Sequence, residues 1–410
     1  MALSLHYRIM AASASAQPYL IIGNPGNKRT LGLQAARHKL GLSPAVVLPY
    51  SDLLKRSIHL GELFQQMAAI SQPLEGKPII IRLDAPGENP LVERDLIAWG
   101  AEFESSRKDL SSGLSVTAAE SLRLPEQYGR ILFPGQWYRG YCRLLAELRE
   151  AAQQSDSPIR WVNDPADVAV MFDKRRCQEL LSQSGVPTPA LPAPAGSIQD
   201  YESLLAAVQS SRMNRLFIKL AYGSAASGII AYQRHPATGS EIAITTIGVE
   251  QHNGEQLYYN SGKLRRYTDH STIRLIIDWV CREGAQIERW IEKDSIKGSS
   301  YDIRQLVVNG SPCHAMARLS RTPITNLHLR NERLLITDGT LPTELKEQVE
   351  ATAVSALAAF TGSSVAGIDV LVQKKRGRVY ICDVNPFGDL LYHAEHKGMN
   401  TYEWQMSNLK

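Results

Sequence analysis

Gly367-Ile368-Asp369-Val370-Leu371-Val372 and, after the short turn Gln373 to Gly377, Arg378-Val379-Tyr380-Ile381-Cys382-Asp383-Val384-Asn385-Pro386 decide the reading of this chain. Both runs are apolar, β-branched and of strand length, so they predict a hairpin over Val365 to Val372 and Arg378 to Val384. Asp369 and Asp383 then sit on adjacent strands, and Asp383 and Asn385, two apart, share a face. Acids embedded in such apolar strands are costly unless something pairs with them. Two carboxylates and an amide are the oxygen donors that hard Mg2+ takes, with phosphates completing its shell, and they can bridge a pair of ions. Asp369, Asp383 and Asn385 are therefore the metal-ligand candidates.

Working towards the N-terminus, Asp302 to Val308 and Cys313 to Leu319 predict a second hairpin across Asn309-Gly310. It carries Asp302-Ile303-Arg304 on one strand and Arg318 on the other, with Arg321, Asn326, His328 and Arg330 following. Arginine forks match phosphates and carboxylates, so Arg304, Arg318 and Arg330 are the candidates for stabilising charge during phosphoryl transfer. For any one of them a solvated basic face is the usual alternative. Ala285 to Ile291 reads as a strand opening this third unit. Its end, Glu288-Arg289-Trp290-Ile291-Glu292, suits an adenine hinge, with backbone groups of Trp290 and Ile291 on the base edge and Glu288 on ribose or N6. Alone, it reads equally as an amphipathic edge strand. Glu344 to Phe360 predicts a helix.

Further upstream, Leu216-Phe217-Ile218-Lys219 and Gly228 to Tyr232 predict two strands joined by small residues. Backbone N–H groups of Gly223 and Gly228 and the hydroxyls of Ser224 and Ser227 can approach phosphate oxygens, with Lys219 beside them. The glycines are not followed by Lys-Ser/Thr, which excludes a Walker A loop. Taken alone, the segment reads more readily as a flexible hairpin with an incidental lysine. Pro165 to Leu181 predicts one helix, stopped by Gly185-Val186-Pro187-Thr188-Pro189. Near the N-terminus, strand Tyr19 to Ile22, helix Thr30 to Lys39, strand Ala45 to Leu48 and strand Pro78 to Arg82 predict a βαβ start with a parallel sheet. Helix Gln136 to Ala152 follows. Loops Gly23 to Arg29 and Asp84 to Asn89 lie at strand ends; the first precedes a helix N-terminus that could hold an anion, though it reads more readily as an ordinary tight turn. His393 and His396, spaced i, i+3, read as ordinary helix residues.

In this order the pieces, from about Asn163 to Asn385, resemble the ATP-grasp superfamily, nearest its ribosomal-protein glutamate ligase-like, carboxylate–amine branch. Asn163 with Asp173-Lys174 resembles the entry segment, in which Lys174 contacts ATP phosphate. Lys219 with Gly223 to Gly228 resembles the second lysine and lid, and Ala366-Gly367-Ile368-Asp369 with Asp383-Val384-Asn385-Pro386 resembles the closing metal motif. The resemblance implies an α/β chain, α+β in its C-terminal part: a Rossmann-like pre-ATP-grasp domain (1–165), a lid subdomain (166–245) and a catalytic subdomain (246–410). It implies ATP and two Mg2+ ions (Mn2+ as an alternative), a carboxylate activated as an acylphosphate, and an amine acceptor on a small-molecule or peptide partner. A kinase of the same fold and a nucleotide-binding homologue without turnover are the alternatives. The sequence departs from the family where Asp383 replaces a glutamate, Phe387 a small serine, and His328-Leu329-Arg330-Asn331 a His-Arg-Gly-Gly run.

Composition narrows the class. The 410 residues, 44% hydrophobic and 21% charged, suit two or three globular domains. A formal charge of +4 is too small to argue for nucleic acid or an anionic membrane. Five cysteines without metal or disulfide spacing point to a reduced cytoplasm. The Ala11 to Ala16 stretch lacks an apolar h-region, so no secretory signal is expected, and no apolar run spans a bilayer. A homodimer is compatible with these features.

Overall fold

The computed structural model describes residues 17–70, 77–102, 113–223, 227–325, 332–388, 391 and 393–409. Its first unit contains, in chain order, β1 (Tyr19–Gly23), α1 (Lys28–Lys39), β2 (Val46–Pro49), α2 (Tyr50–Leu54), α3 (Leu60–Ile70), β3 (Ile79–Leu83), α4 (Pro90–Ala101), α5 (Ala118–Ser121), α6 (Pro134–Gln153) and β4 (Ile159–Trp161). The four strands form a parallel sheet in the order β2-β1-β3-β4. β1 and β3 are buried along their whole length, as strands covered on both faces must be, which is why they read as continuous apolar runs. Helices α4 and α6 cross backbone to backbone: a Cβ on Gly100 would overlap the Gln136 carbonyl, and one on Gly140 the Leu96 carbonyl.

The helix expected over Pro165 to Leu181 is two, α7 (Pro165–Phe172) and α8 (Lys174–Gln183). The break is at Asp173, a fully buried residue in extended geometry that caps α8 by accepting the Arg175 N–H at 3.0 Å. An aspartate competes for backbone donors and so favours a cap over a helix interior.

Next come α9 (Tyr201–Ser211), β5 (Arg215–Leu220), β6 (Ile229–Arg234), β7 (Glu241–His252), β8 (Glu255–Tyr267), α10 (His270–Arg282) and β9 (Ala285–Arg289). They build an antiparallel sheet ordered β8-β7-β6-β5-β9, with α9 and α10 on its apolar face. Two expectations are corrected here. The boundary expected at residue 245 falls inside β7, and β9, expected to open the third unit, pairs with β5 and closes the second sheet. Ile287 and Ala285 bury against the same core as Ile218 and Leu220, and that burial fixes the strand in this sheet.

The third sheet holds β10 (Ser295–Ile296), β11 (Ser299–Val308), β12 (Ser311–Ser320), β13 (Glu332–Leu335), β14 (Val365–Val372) and β15 (Val379–Asn385), ordered β13-β12-β11-β14-β15 with β10 beside β11. Asn309 and Gly310 turn the β11–β12 hairpin with φ of 50° and 74°, as Asn-Gly predicts. Between β13 and β14 runs α11 (Thr343–Ala358), and α12 (Thr401–Asn408) ends the chain. One face of the sheet, with Ile303, Ala317, Ile368, Val370 and Ile381, packs on residues of α8 (Cys177, Leu181) and α11 (Val349, Ala353, Ala356). Helix α8 thus packs its apolar side on the third sheet, while Gln178 joins it to Gln286 of β9. No helix among the described residues is long and apolar enough to cross a membrane.

Where α10 ends against the first unit, Glu283 is 1% exposed and accepts the Leu114 N–H at 3.2 Å. Burial pushes its carboxyl up to about 7, against the pull of Leu114 N–H, Arg282 and Arg139. A raised carboxyl pKa means that the folded state holds the proton longer. This group's contribution is therefore largest below the unfolded pKa and is lost as pH rises towards 7, by at most roughly 3 kcal/mol. Glu283→Gln should flatten the decline of urea-unfolding stability between pH 5 and 7. An unchanged slope would refute the assignment.

Candidate active site

The polar face of the third sheet is a row of charge. In register, Arg304 faces Asp369, which faces Asp383; one row along, Arg318 faces Asp302. Arg304 Nε lies 2.5 Å from Asp369 Oδ1, and Arg318 spans the pair, with Nε 2.6 Å from Asp302 Oδ1 and Nη2 3.0 Å from Asp369 Oδ1. Burial raises the Asp369 pKa, but Arg304 and Arg318 outweigh it and hold the carboxyl below its usual range. Asn385 donates Nδ2 to Gly367 O at 3.1 Å, which leaves its Oδ1 as the available acceptor.

Across a cleft lies the second sheet. Lys174, at the first turn of α8, reaches Asp383 at 2.9 Å, and Lys219 of β5 pairs with Glu288 of β9 at 2.5 Å. Burial lowers the Lys219 pKa, but Glu288 more than restores it, so the ammonium stays charged. Lys174, Glu288 and Asp383 line the cleft together with Gln178, Gln286 and Cys382. Gly223, Ser227 and Gly228 gather at the end of β5: Leu220 N–H bonds Gly228 O at 3.0 Å, and a Cβ on Gly223 would meet Ser227 O at 2.7 Å. The root of this loop is fixed by Tyr222, stacked on Tyr138 at 4.2 Å and bonded by Arg175.

Trp290 and Ile291 are not among the cleft's lining residues. Trp290 spends its N–H on Arg215 O at 3.0 Å, and its ring lies between the Arg215 guanidinium (4.1 Å) and Phe217 (5.2 Å). Its backbone N–H is therefore taken. Ser224 and Arg330, with Asn326 and His328, lie outside the described residues. His393 and His396 are not on a helix, as a helical i, i+3 pair requires; His396 packs on Trp404.

The sequence reading missed Lys293. Its amine is buried, 2.7 Å from Thr325 Oγ1 and 3.7 Å from Asp302 Oδ2, and burial lowers its pKa. Its position two residues past Ile291 was the available signal. Burial raises the pKa of both Cys177 and Cys382 beside the cleft.

No family model and no curated protein matches the sequence. Solved structures do match in fold over nearly the whole chain. D-cycloserine synthetase DcsG aligns with a TM-score of 0.52 at 11% identity, covering 96% of this chain and 100% of that one. The ADP complex of PurK, an N5-carboxyaminoimidazole ribonucleotide synthetase, gives 0.51 at 10%, covering 97% and 78%. The ATP-grasp ligase PsnB with a minimal precursor gives 0.50 at 12%, covering 96% and 99%.

This chain has the ATP-grasp fold.

Within this fold Lys219 and Glu288 stand on the second sheet, Asp302, Arg304, Arg318, Asp369 and Asp383 on the third, and Lys174 on α8. Four carboxylates (Glu288, Asp302, Asp369, Asp383) face five cations (Lys174, Lys219, Lys293, Arg304, Arg318), so each acid is neutralised. Among the described residues no three His, Cys, Asp or Glu side chains converge on one point. The donor set of two opposed carboxylates and one amide oxygen still fits a hard divalent cation that keeps phosphate or water oxygens. The cations now holding those carboxylates are the groups that phosphates would attract away.

Proposed function

We propose that this chain is an ATP- and Mg2+-dependent ligase that activates a carboxylate as an acylphosphate and joins it to an amine, releasing ADP and phosphate. The observation carrying the proposal is the opposition of Asp369 and Asp383 on neighbouring strands, with Lys174, Arg304 and Arg318 paired to the two acids. Bound Mg2+ would neutralise phosphate charge and orient the transferred group. Asp369, Asp383 and Asn385 would hold the metal. Lys174, Lys219 and the backbone of Gly223 to Gly228 would hold phosphates, Glu288 would bind the nucleoside end, and Arg304 and Arg318 would bear the negative charge that develops on transfer. Binding phosphate draws Lys174 from Asp383 and the arginines from Asp369, so one event both fills the cationic sites and frees the metal carboxylates. The substrates are a carboxylate and an amine on an amino acid, peptide or small molecule, consistent with matched structures that include a ligase with its precursor and a cycloserine synthetase. Five cysteines without metal or disulfide spacing accord with a cytoplasmic setting.

The test is a screen of amino acids and short peptides, paired as donors and acceptors, for ADP release with mass analysis of products. A product heavier than its donor by the acceptor minus one water supports the ligase. A stable phosphorylated product would make it a kinase, and tight ATP binding with no ADP release on any pair would reject catalysis.

A further inference from the structure

The exit of the metal strand is gripped by the first unit. Phe387, two residues beyond Asn385, buries its ring in the first unit's core, among residues that include Leu83, Tyr141 and Val168. It meets Phe172 edge-on at 5.5 Å, and Phe172 in turn contacts Tyr141 at 5.2 Å and Trp137 at 5.8 Å. Phe172 is two residues before Lys174. One aromatic cluster therefore sets the position of both the lysine and the acid that meet at 2.9 Å. The backbone is held as well. Arg82, on β3 and 2% exposed, donates Nη2 to Phe387 O at 2.9 Å. Asn163 donates Nδ2 to Pro386 O and, at 2.7 Å, to Val365 O, tying the exit of β15 to the start of β14.

We infer that Arg82 and Phe387 are positioning residues: they fix the metal-binding end of β15 against the N-terminal unit and so couple metal binding to nucleotide binding. The inference rests on the proposed function. It also accounts for Phe387 as a core residue of the first unit rather than a substrate contact. A buried guanidinium is expensive to keep, and this one donates to the carbonyl that follows the metal motif. Losing a group that orients metal ligands typically costs 10- to 100-fold in metal affinity.

The experiment measures the affinity of a non-hydrolysable ATP analogue by calorimetry with and without Mg2+, alongside thermal melts. In the unaltered protein Mg2+ should tighten binding. In Arg82→Met and Phe387→Ala that tightening should shrink by roughly tenfold, while metal-free affinity stays within about twofold; Phe387→Leu, which keeps an apolar plug, should retain it. Undiminished tightening in both Arg82→Met and Phe387→Ala overturns the inference, as does an equal loss of binding with and without Mg2+ in folded variants. If the unaltered protein binds nucleotide without any Mg2+ dependence, the proposed function itself fails and the inference goes with it.

Discussion

Asp383→Asn should lower ADP release by about 10²- to 10³-fold, the scale of removing one preorganised charge contact from a transition state. The effect on binding should be selective. Asp383 is the acid that engages Lys174, at 2.9 and 3.1 Å to its two oxygens. Without that carboxylate the ammonium is released to phosphate, so metal-free nucleotide binding should hold or tighten. The Mg2+ concentration needed for half-maximal binding should rise at least about tenfold, since one of the two carboxylate ligands has become an amide. Titrating nucleotide with and without Mg2+ separates the two effects. Weaker metal-free binding, or turnover within a few-fold of the original, would count against Asp383 as a metal ligand.

Arg318→Met should cost the most stability. Its side chain is 6% exposed and links two carboxylates that are themselves 5% and 10% exposed. Among the described residues, removing it leaves Asp302 with Lys293 and Thr325, and Asp369 with Arg304. Breaking a buried pair from one side typically costs about 3–5 kcal/mol, because the remaining charge stays buried. Urea unfolding should report a loss of that order. Arg318→Lys keeps the charge but not the fork that reaches both acids, so it should recover part of the stability and little of the activity. A loss below about 1 kcal/mol for Arg318→Met would mean that the network carries little energy. Because Arg318 pairs both with Asp302 and with Asp369, the proposed metal ligand, a stable but inactive Arg318→Lys would be the more informative variant for catalysis.

Much of the architecture was legible because burial writes period and length into a strand. β1, β3 and β14 read as strands from apolar runs alone, and Asn309-Gly310 named its own hairpin turn. The β7–β8 hairpin did not announce itself. Its distal half is polar and exposed, from Glu250 to Glu255 and again at Lys263, Arg265 and Arg266, so no apolar periodicity marked it. The break at Asp173 was equally hidden, since the pattern on either side continues and only a buried cap bond stops the helix. Assigning β9 to the third unit followed chain order, whereas its partner β5 lies some seventy residues back. Long-range pairing of that kind has no local signature. Lys293 was missed for the same reason: its partners Asp302 and Thr325 are brought to it by other strands.

By itself the sequence determined the strands, the acids within them and the types of donor on offer: two carboxylates, an amide and a set of lysines and arginines. It could not decide which of these meet. Two β-bulges did. In the β14–β15 pair, Val372 faces Val379 and Val370 faces Ile381, a register that would set Asp369 against Cys382 and turn Asp383 to the opposite face. The irregularity between Asp369 and Val370 absorbs Cys382 as an extra residue, so Asp369 faces Asp383. In the β11–β12 pair the shift between Gln305 and Val307 likewise puts Arg318, not Ala317, opposite Asp302. A one-residue slip exchanges the faces of a strand, and a bulge makes that slip at one chosen point. Composition and spacing supplied the charged groups; the bulged sheet put them on one face, α8 brought Lys174 to Asp383, and the pairing of β5 with β9 brought Lys219 to Glu288.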